Sequence, residues 1–328
     1  MQQSVLFIVL LAVAAVVGFV GALVLFTAYT ARRVEAALPP LGRFVEVGGA
    51  RIHYLERGSG PTLLLIHGLG ANMRVFTHSL VERLARDFRV VLMERPGSGE
   101  STRGAGAGAR LSSQAETVSG FIGALGLERP LLVGHSLGGA VSLAVALRHP
   151  EQVRGLALIA PLANTQETIP AIFNRLIITS PAARSLVAWT VATPFSILRR
   201  ALVLDILFGP DAVPADYATR GGGLLGLRPK VFRAASEDLV ALEGELPAMV
   251  ARYAELRLPV GIIYGTGDRV LDHRLHGVEA ASKIAGAELE LLEGGHMLPL
   301  TAPDAVASFV RRVAAKAWTT EPLAEQTP

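Results

Sequence analysis

Leu131-Leu132-Val133-Gly134-His135-Ser136-Leu137-Gly138-Gly139-Ala140-Val141-Ser142-Leu143-Ala144-Val145-Ala146-Leu147-Arg148 is the stretch from which the fold is read. Residues 131–134 are a short apolar run, the pattern of a buried strand. Leu137–Arg148 reads as a helix. Ser136 stands between them in the pattern Gly-x-Ser-x-Gly. In a chain with 34 glycines that pattern alone is weak. At a strand-to-helix junction it means more. A serine there must hold a strained backbone to project its hydroxyl above the sheet edge, and Gly134 and Gly138 leave room where strand and helix close on each other. The start of the helix adds free N–H groups and a dipole that favour developing negative charge. Ser136 is therefore the candidate nucleophile.

A serine hydroxyl needs a base. Of the eight histidines, His296 in Glu293-Gly294-Gly295-His296-Met297 follows the last expected strand and precedes the last expected helix. An elbow of this kind places the orienting acid between serine and histidine in chain order. Asp268, in Tyr264-Gly265-Thr266-Gly267-Asp268, is the candidate, and Asp272 is held in reserve. An oxyanion needs two N–H donors. The Leu137 amide is one candidate. The Leu69 amide, in His67-Gly68-Leu69-Gly70, is the other, with His67 read as ordering that loop. His149, beside Pro150, reads as the end of a helix. His53, His78, His273 and His276 show no pairing that suggests metal ligation, and there is no cysteine, so no metal and no cofactor is expected.

Working outward, Arg43–Val47 and residues 51–56 read as a hairpin around Gly48-Gly49. Thr62–Ile66 and Arg89–Met93 are strands, with a helix over residues 75–86 between them. Residues 104–108 (Gly-Ala-Gly-Ala-Gly) read as a flexible loop, 112–125 as a helix and 153–159 as a strand. Alternating strands and helices imply a mostly parallel sheet flanked by helices. From 161 to 256 the alternation stops: the segment is helical, punctuated by prolines, and reads as a lid inserted over the sheet. The alternation resumes with a strand at 260–264, a helix near 274–284, a strand at Glu288–Leu292 and a helix over 303–318. The expected division is an N-terminal transmembrane segment (1–33), a first core part (34–160), a helical cap or lid (161–256), a second core part (257–318) and a C-terminal tail (319–328).

Residues 5–26, VLFIVLLAVAAVVGFVGALVLF, carry no charged or polar side chain. As a helix they would span roughly 33 Å, enough for a bilayer core of about 30 Å. No basic residue precedes the run and no clean cleavage site follows it, so it reads as a single-pass anchor rather than a cleaved signal. Arg32, Arg33 and Arg43 follow it, which favours a cytoplasmic catalytic domain. The net charge is only +3, without a dense basic run, which argues against nucleic acid as partner.

These pieces resemble the α/β-hydrolase superfamily over residues 42–318. The resemblance rests on the elbow, the His-Gly loop, Glu94-Arg95-Pro96-Gly97-Ser98-Gly99-Glu100-Ser101, the Gly-x-x-Asp turn and the Gly-Gly-His loop, in the family's order. Glu94 departs from it, since many relatives carry Asp there. The family's dehalogenases and epoxide hydrolases use Asp where this chain has Ser136. The resemblance thus implies a serine hydrolase, and the layout is similar to membrane-anchored monoacylglycerol lipases. The segment 161–256 is apolar, with nine basic and nine acidic residues. The expected activity is hydrolysis of lipophilic acyl esters through an acyl-Ser136 intermediate. The same triad also serves C–C bond hydrolases, perhydrolases and amidases, and a non-catalytic ligand-binding member of the fold is the alternative class. Arg199-Arg200, beside Phe195 and Leu198, reads as an ordinary solvated face, with a membrane surface as the alternative.

Overall fold

Eight strands pair into one sheet in a computed structural model that describes residues 2–104, 108–166 and 169–319. They are β1 Arg43–Val47, β2 Ala50–Arg57, β3 Thr62–Ile66, β4 Arg89–Met93, β5 Leu131–His135, β6 Gly155–Ile159, β7 Val260–Gly265 and β8 Glu288–Leu292. Their spatial order is β1-β2-β4-β3-β5-β6-β7-β8. β1, β2 and β4 pair antiparallel. Every pairing from β4 through β3 to β8 is parallel. A parallel sheet is covered on both faces, which is why its strands read as unbroken apolar runs.

Side chains alternate across β3. Leu64 and Ile66 join the cluster beneath α4 (Leu111–Ala124) and α5 (Leu137–Arg148). Leu63 and Leu65 join the opposite cluster, under α2 (Arg74–Thr77), α3 (Val81–Leu84) and α13 (Pro303–Thr319). All four are fully buried. Each such side chain contributes roughly 1.5–3 kcal/mol.

Two expected helices differ in detail. The one expected over residues 75–86 is split into α2 and α3 at His78–Leu80, where the His78 imidazole bonds Asp216 at 2.7 Å and Ser79 at 2.5 Å. The one near 274–284 is a wide π-turn, Arg274–Glu279, running into α11 (Ala280–Ser282). Residues 105–107 of the Gly-Ala loop and 320–328 of the tail lie outside the described residues.

Between β6 and β7 the described residues form no strand. They form α6 (Pro181–Trp189), α7 (Ala192–Leu198), α8 (Arg200–Phe208), α9 (Pro229–Ala241) and α10 (Glu245–Val250), joined by 3-10 turns. The last short helix before α13 is α12 (Leu298–Thr301). α1 (Gln2–Ala37) is long and apolar enough to cross a membrane, and none of its apolar run is buried. Only its end packs on the molecule, through Thr27, Ala31 and Val34.

Candidate active site

The topology brings the site together. After β3 the chain turns one way to β4 and the other way to β5, so a crevice opens where the strand order reverses. The register pairs Ile66 with Gly134, setting the loop after β3 beside the loop after β5. Gly265 pairs with Leu292, which sets the turns after β7 and β8 side by side at the same edge.

Ser136 has φ 54° and ψ −122°, in the positive-φ region that non-glycine residues rarely enter. The surrounding packing fixes this strain. A Cβ on Gly138 would stand 2.0 Å from the Ile66 carbonyl oxygen, and one on Gly134 would stand 2.5 Å from the Gly138 carbonyl oxygen. Neither position admits a side chain. Gly68 faces the serine: a Cβ there would be 2.9 Å from Ser136 Cβ and 3.3 Å from its Oγ.

Ser136 Oγ lies 3.0 Å from His296 Nε2, and His296 Nδ1 lies 2.6 Å from Asp268 Oδ2. The other carboxylate oxygen of Asp268 accepts hydrogen bonds from the amides of Val270, at 2.7 Å, and Leu271, at 3.0 Å. Burial pushes the Asp268 carboxyl up, but the facing His296 and these amides outweigh it, and its pKa falls below the ordinary aspartate value. Asp268 is therefore an anion in contact with His296. The reserve candidate Asp272 is turned elsewhere: it is half exposed and accepts from the Arg274 amide at 2.9 Å.

The amides of Leu69 and Leu137 donate to no other group among the described residues. Both residues line the same cavity as Ser136 and His296. His67 is neutral: burial, then Arg95, drives its pKa well below the usual imidazole value. It orders the loop, bonding the Gly68 carbonyl at 2.9 Å and accepting from the Arg95 amide at 3.2 Å.

Three further groups were not singled out from sequence. Arg95 is fully buried, and its guanidinium holds the carbonyls of His67 and Gly68, each at 2.9 Å. Its charge is met by buried Asp238 of α9 at 2.7 Å. His135 lies beside the nucleophile; its Nε2 bonds the His296 carbonyl at 3.0 Å, and burial followed by the neighbouring His296 drops its pKa to about 3. Asp211 accepts from the Gly295 amide at 2.8 Å, tying the loop of His296 to the segment between β6 and β7. Arg95 and His135 stand inside quoted motifs, but no local pattern shows what they or Asp211 bond, because each partner lies far along the chain. Glu94 is a buried pin that bonds His53 at 2.8 Å and accepts from the Glu100 amide at 2.5 Å.

The cavity over Ser136 has a volume of about 420 Å³. Its walls are mainly apolar, with Leu162, Phe173, Leu239 and Leu246 among them, and its few polar groups include Asn164 and Gln166. No cluster of three metal-ligating side chains occurs among the described residues.

Comparison with known proteins agrees with this architecture. A family model described as alpha/beta hydrolase fold matches residues 61–303. The chain is 30% identical over 309 residues to an uncharacterized protein of Mycobacterium tuberculosis, covering 89% of this chain and 85% of that one. It is 27% identical over 283 residues to haloalkane dehalogenase 2 of the same organism, covering 82% and 93%. Among solved structures, a membrane phospholipase A described as a bacterial virulence factor shares 25% identity. Its TM-score is 0.62, and the match covers 98% of this chain and 100% of that one.

Proposed function

The chain belongs to the alpha/beta hydrolase fold family, and from that premise we propose that it cleaves carboxylic esters with lipophilic acyl groups through an acyl-enzyme on Ser136. The observation that carries this reading is the hydrogen-bonded series Ser136–His296–Asp268, open to a mainly apolar cavity of about 420 Å³.

In the first half-reaction His296 Nε2 takes the Ser136 proton while Oγ attacks the ester carbonyl carbon. The negative charge that develops on the carbonyl oxygen is held by the Leu69 and Leu137 amides. Each such donor is worth roughly 10²–10³ in rate. The tetrahedral intermediate collapses, and His296 gives its proton to the departing alkoxide. A water then repeats the sequence on the acyl-serine, freeing the carboxylic acid. Asp268 accepts the His296 Nδ1 proton in a hydrogen bond, fixing the tautomer and stabilising the imidazolium.

Ser136 supports an esterase over a dehalogenase, whose counterparts carry Asp at the elbow. The segment 161–256 serves as a cap that shapes the acyl site. α1 serves as a single-pass anchor, supported by its length, its exposed apolar run and the likeness over almost the whole chain to a membrane phospholipase A. Arg32 and Arg33, just past the run, support a cytoplasmic catalytic domain. The test is hydrolysis of short- and medium-chain p-nitrophenyl esters by the full chain in detergent. Turnover that Ser136→Ala abolishes is expected; turnover retained by Ser136→Ala would refute the assignment.

A further inference from the structure

Outside α1, the described residues include eleven large apolar side chains that are strongly exposed. Eight of them fall between Ile177 and Leu202, on and around α6, α7 and α8. Leu198 is the extreme, at 82% exposed. Scattered single apolar residues are ordinary on a protein surface, whereas a concentration of this kind marks a contact surface.

The position of this surface along α1 identifies what it meets. The uncharged run of α1 ends at Phe26. The next residue, Thr27, is fully buried, and its hydroxyl donates to the Thr190 carbonyl at 3.5 Å. Trp189 and Val191 flank Thr190 and are both exposed. They therefore lie at the depth where the apolar run stops, the level at which tryptophan is favoured at a bilayer interface. Basic side chains stand on or against the same helices. Arg32 and Arg33 follow the run, and Arg199 and Arg200 join α7 to α8. Arg175 stands over the Phe195 ring at 5.1 Å, with its Nε and Nη1 buried and without a hydrogen-bond partner. Such groups suit the anionic headgroups just outside a hydrocarbon layer.

Behind this surface is a second cavity, of about 540 Å³. Ile197, Arg200, Val203 and Leu204 of α7 and α8 line it on one side. It meets the Ser136 cavity at Leu69, Phe173, Leu207 and Tyr217, which line both. Ile197 both lines the cavity and is exposed on the outer surface.

We infer that the α6–α8 surface is seated in the lipid bilayer beside α1, and that the second cavity takes an acyl chain laterally from the bilayer toward Ser136. This rests on the readings of α1 as membrane-spanning and of Ser136 as nucleophile. It goes beyond them by assigning a membrane-contacting surface on the globular part and a route for the lipid.

The test uses the full chain, as the Ser136→Ala variant, in vesicles of phosphatidylcholine and phosphatidylglycerol. The vesicles contain a phospholipid with a diazirine in its acyl chain. After illumination, mass spectrometry of the peptides is expected to show label on α1, on α6–α8 and on the cavity-lining residues Ile172 and Phe173, which lie outside those helices. Label on α1 with none on α6–α8 would overturn the inference while leaving the anchor standing, and is the pattern if a second copy of the chain covers the surface. Label on neither would refute the anchor and the inference together. A second readout compares wild type with Leu198→Glu/Leu202→Glu. Hydrolysis of a long-chain ester embedded in vesicles should fall at least tenfold, and hydrolysis of a dissolved short-chain ester should stay within twofold. Equal loss on both substrates, or none on either, would overturn the lateral route. If wild type hydrolyses no dissolved ester, the esterase reading fails, and the labelling pattern still decides this inference.

Discussion

At the sheet edge each group around Ser136 is held from several sides, whereas in the segment between β6 and β7 the outer helices leave apolar side chains uncovered. Gly134 and Gly138 have no room for a Cβ, Asp268 has three hydrogen-bond donors around it, and Leu63 through Ile66 are fully buried. On α7, by contrast, Leu198 projects almost free, and Phe195 and Ile197 are exposed. The first region is organised to keep atoms within a few tenths of an ångström of one geometry, which charge stabilisation during a reaction demands. The second is organised to present surface. The buried Arg95–Asp238 pair joins the two, with α9 on one side and the loop carrying Leu69 on the other.

The largest expected effect lies at the sheet edge. Asp268→Asn should lower kcat on p-nitrophenyl esters by roughly 10⁴-fold, since the amide favours the wrong histidine tautomer. Asp272→Asn should change it by no more than about twofold, as for other exposed substitutions. Steady-state kinetics of the two variants checks this; equal losses would break the assignment of the acid.

The link between the regions comes next. Asp238→Ala leaves the Arg95 charge buried without its partner, which typically costs about 3–5 kcal/mol. Thermal unfolding in detergent should show a clear drop in midpoint, larger than for Asp238→Asn, which keeps an acceptor for the guanidinium. An unchanged midpoint would mean that the two regions are not coupled through this pair.

These two predictions differ in how far sequence could reach them. Ser136, its glycines and the flanking strand and helix lie within eighteen consecutive residues, and local pattern rules suffice there. Asp268 and His296 follow short apolar runs that become β7 and β8, so their placement at one edge follows from strand order. The expected oxyanion donors, Leu69 and Leu137, follow from the same strand order. Arg95 and Asp238 meet across 143 residues, and His135 meets the His296 carbonyl across 161. No local pattern encodes such pairs, because they depend on how the helical segment folds back over the sheet. Arg199-Arg200 reads as an ordinary solvated face with a membrane surface as the alternative, and local sequence does not choose between them, because the choice depends on which apolar side chains of α6–α8 stay exposed.

A smaller effect is set by buried imidazoles. The His135 pKa is lowered to about 3, by burial and then His296. That of His276 is lowered to about 4 by burial, which outweighs the opposing charges of Asp268 and Asp272. Both lie below the ordinary histidine value of about 6.5, so between these limits the unfolded chain binds more protons than the folded one. Stability is then full above pH 6.5 and declines as pH falls, by about 2 kcal/mol per such histidine at pH 5. Urea unfolding at pH 7.5 and pH 5 should show this decline, and His276→Gln should lessen it. A decline of the same size in His276→Gln would contradict the assignment.

The smallest single effect, expected at Leu198, sharpens the contrast itself. Leu64→Ala in β3 should cost about 2–5 kcal/mol, the usual result of emptying a packed site. Leu198→Ala on α7 should stay within about 0.5 kcal/mol. Unfolding midpoints of the two variants in detergent measure the difference; similar losses would mean that the outer helices are covered after all.

The central claim is that Ser136 is an activated nucleophile. Intact-mass and peptide mass spectrometry of the full chain in detergent, after exposure to a fluorophosphonate, tests it most directly. One probe per chain, attached to Ser136 and absent from both Ser136→Ala and His296→Ala, is the expected result. An unlabelled Ser136 in a chain that still hydrolyses esters would contradict the account.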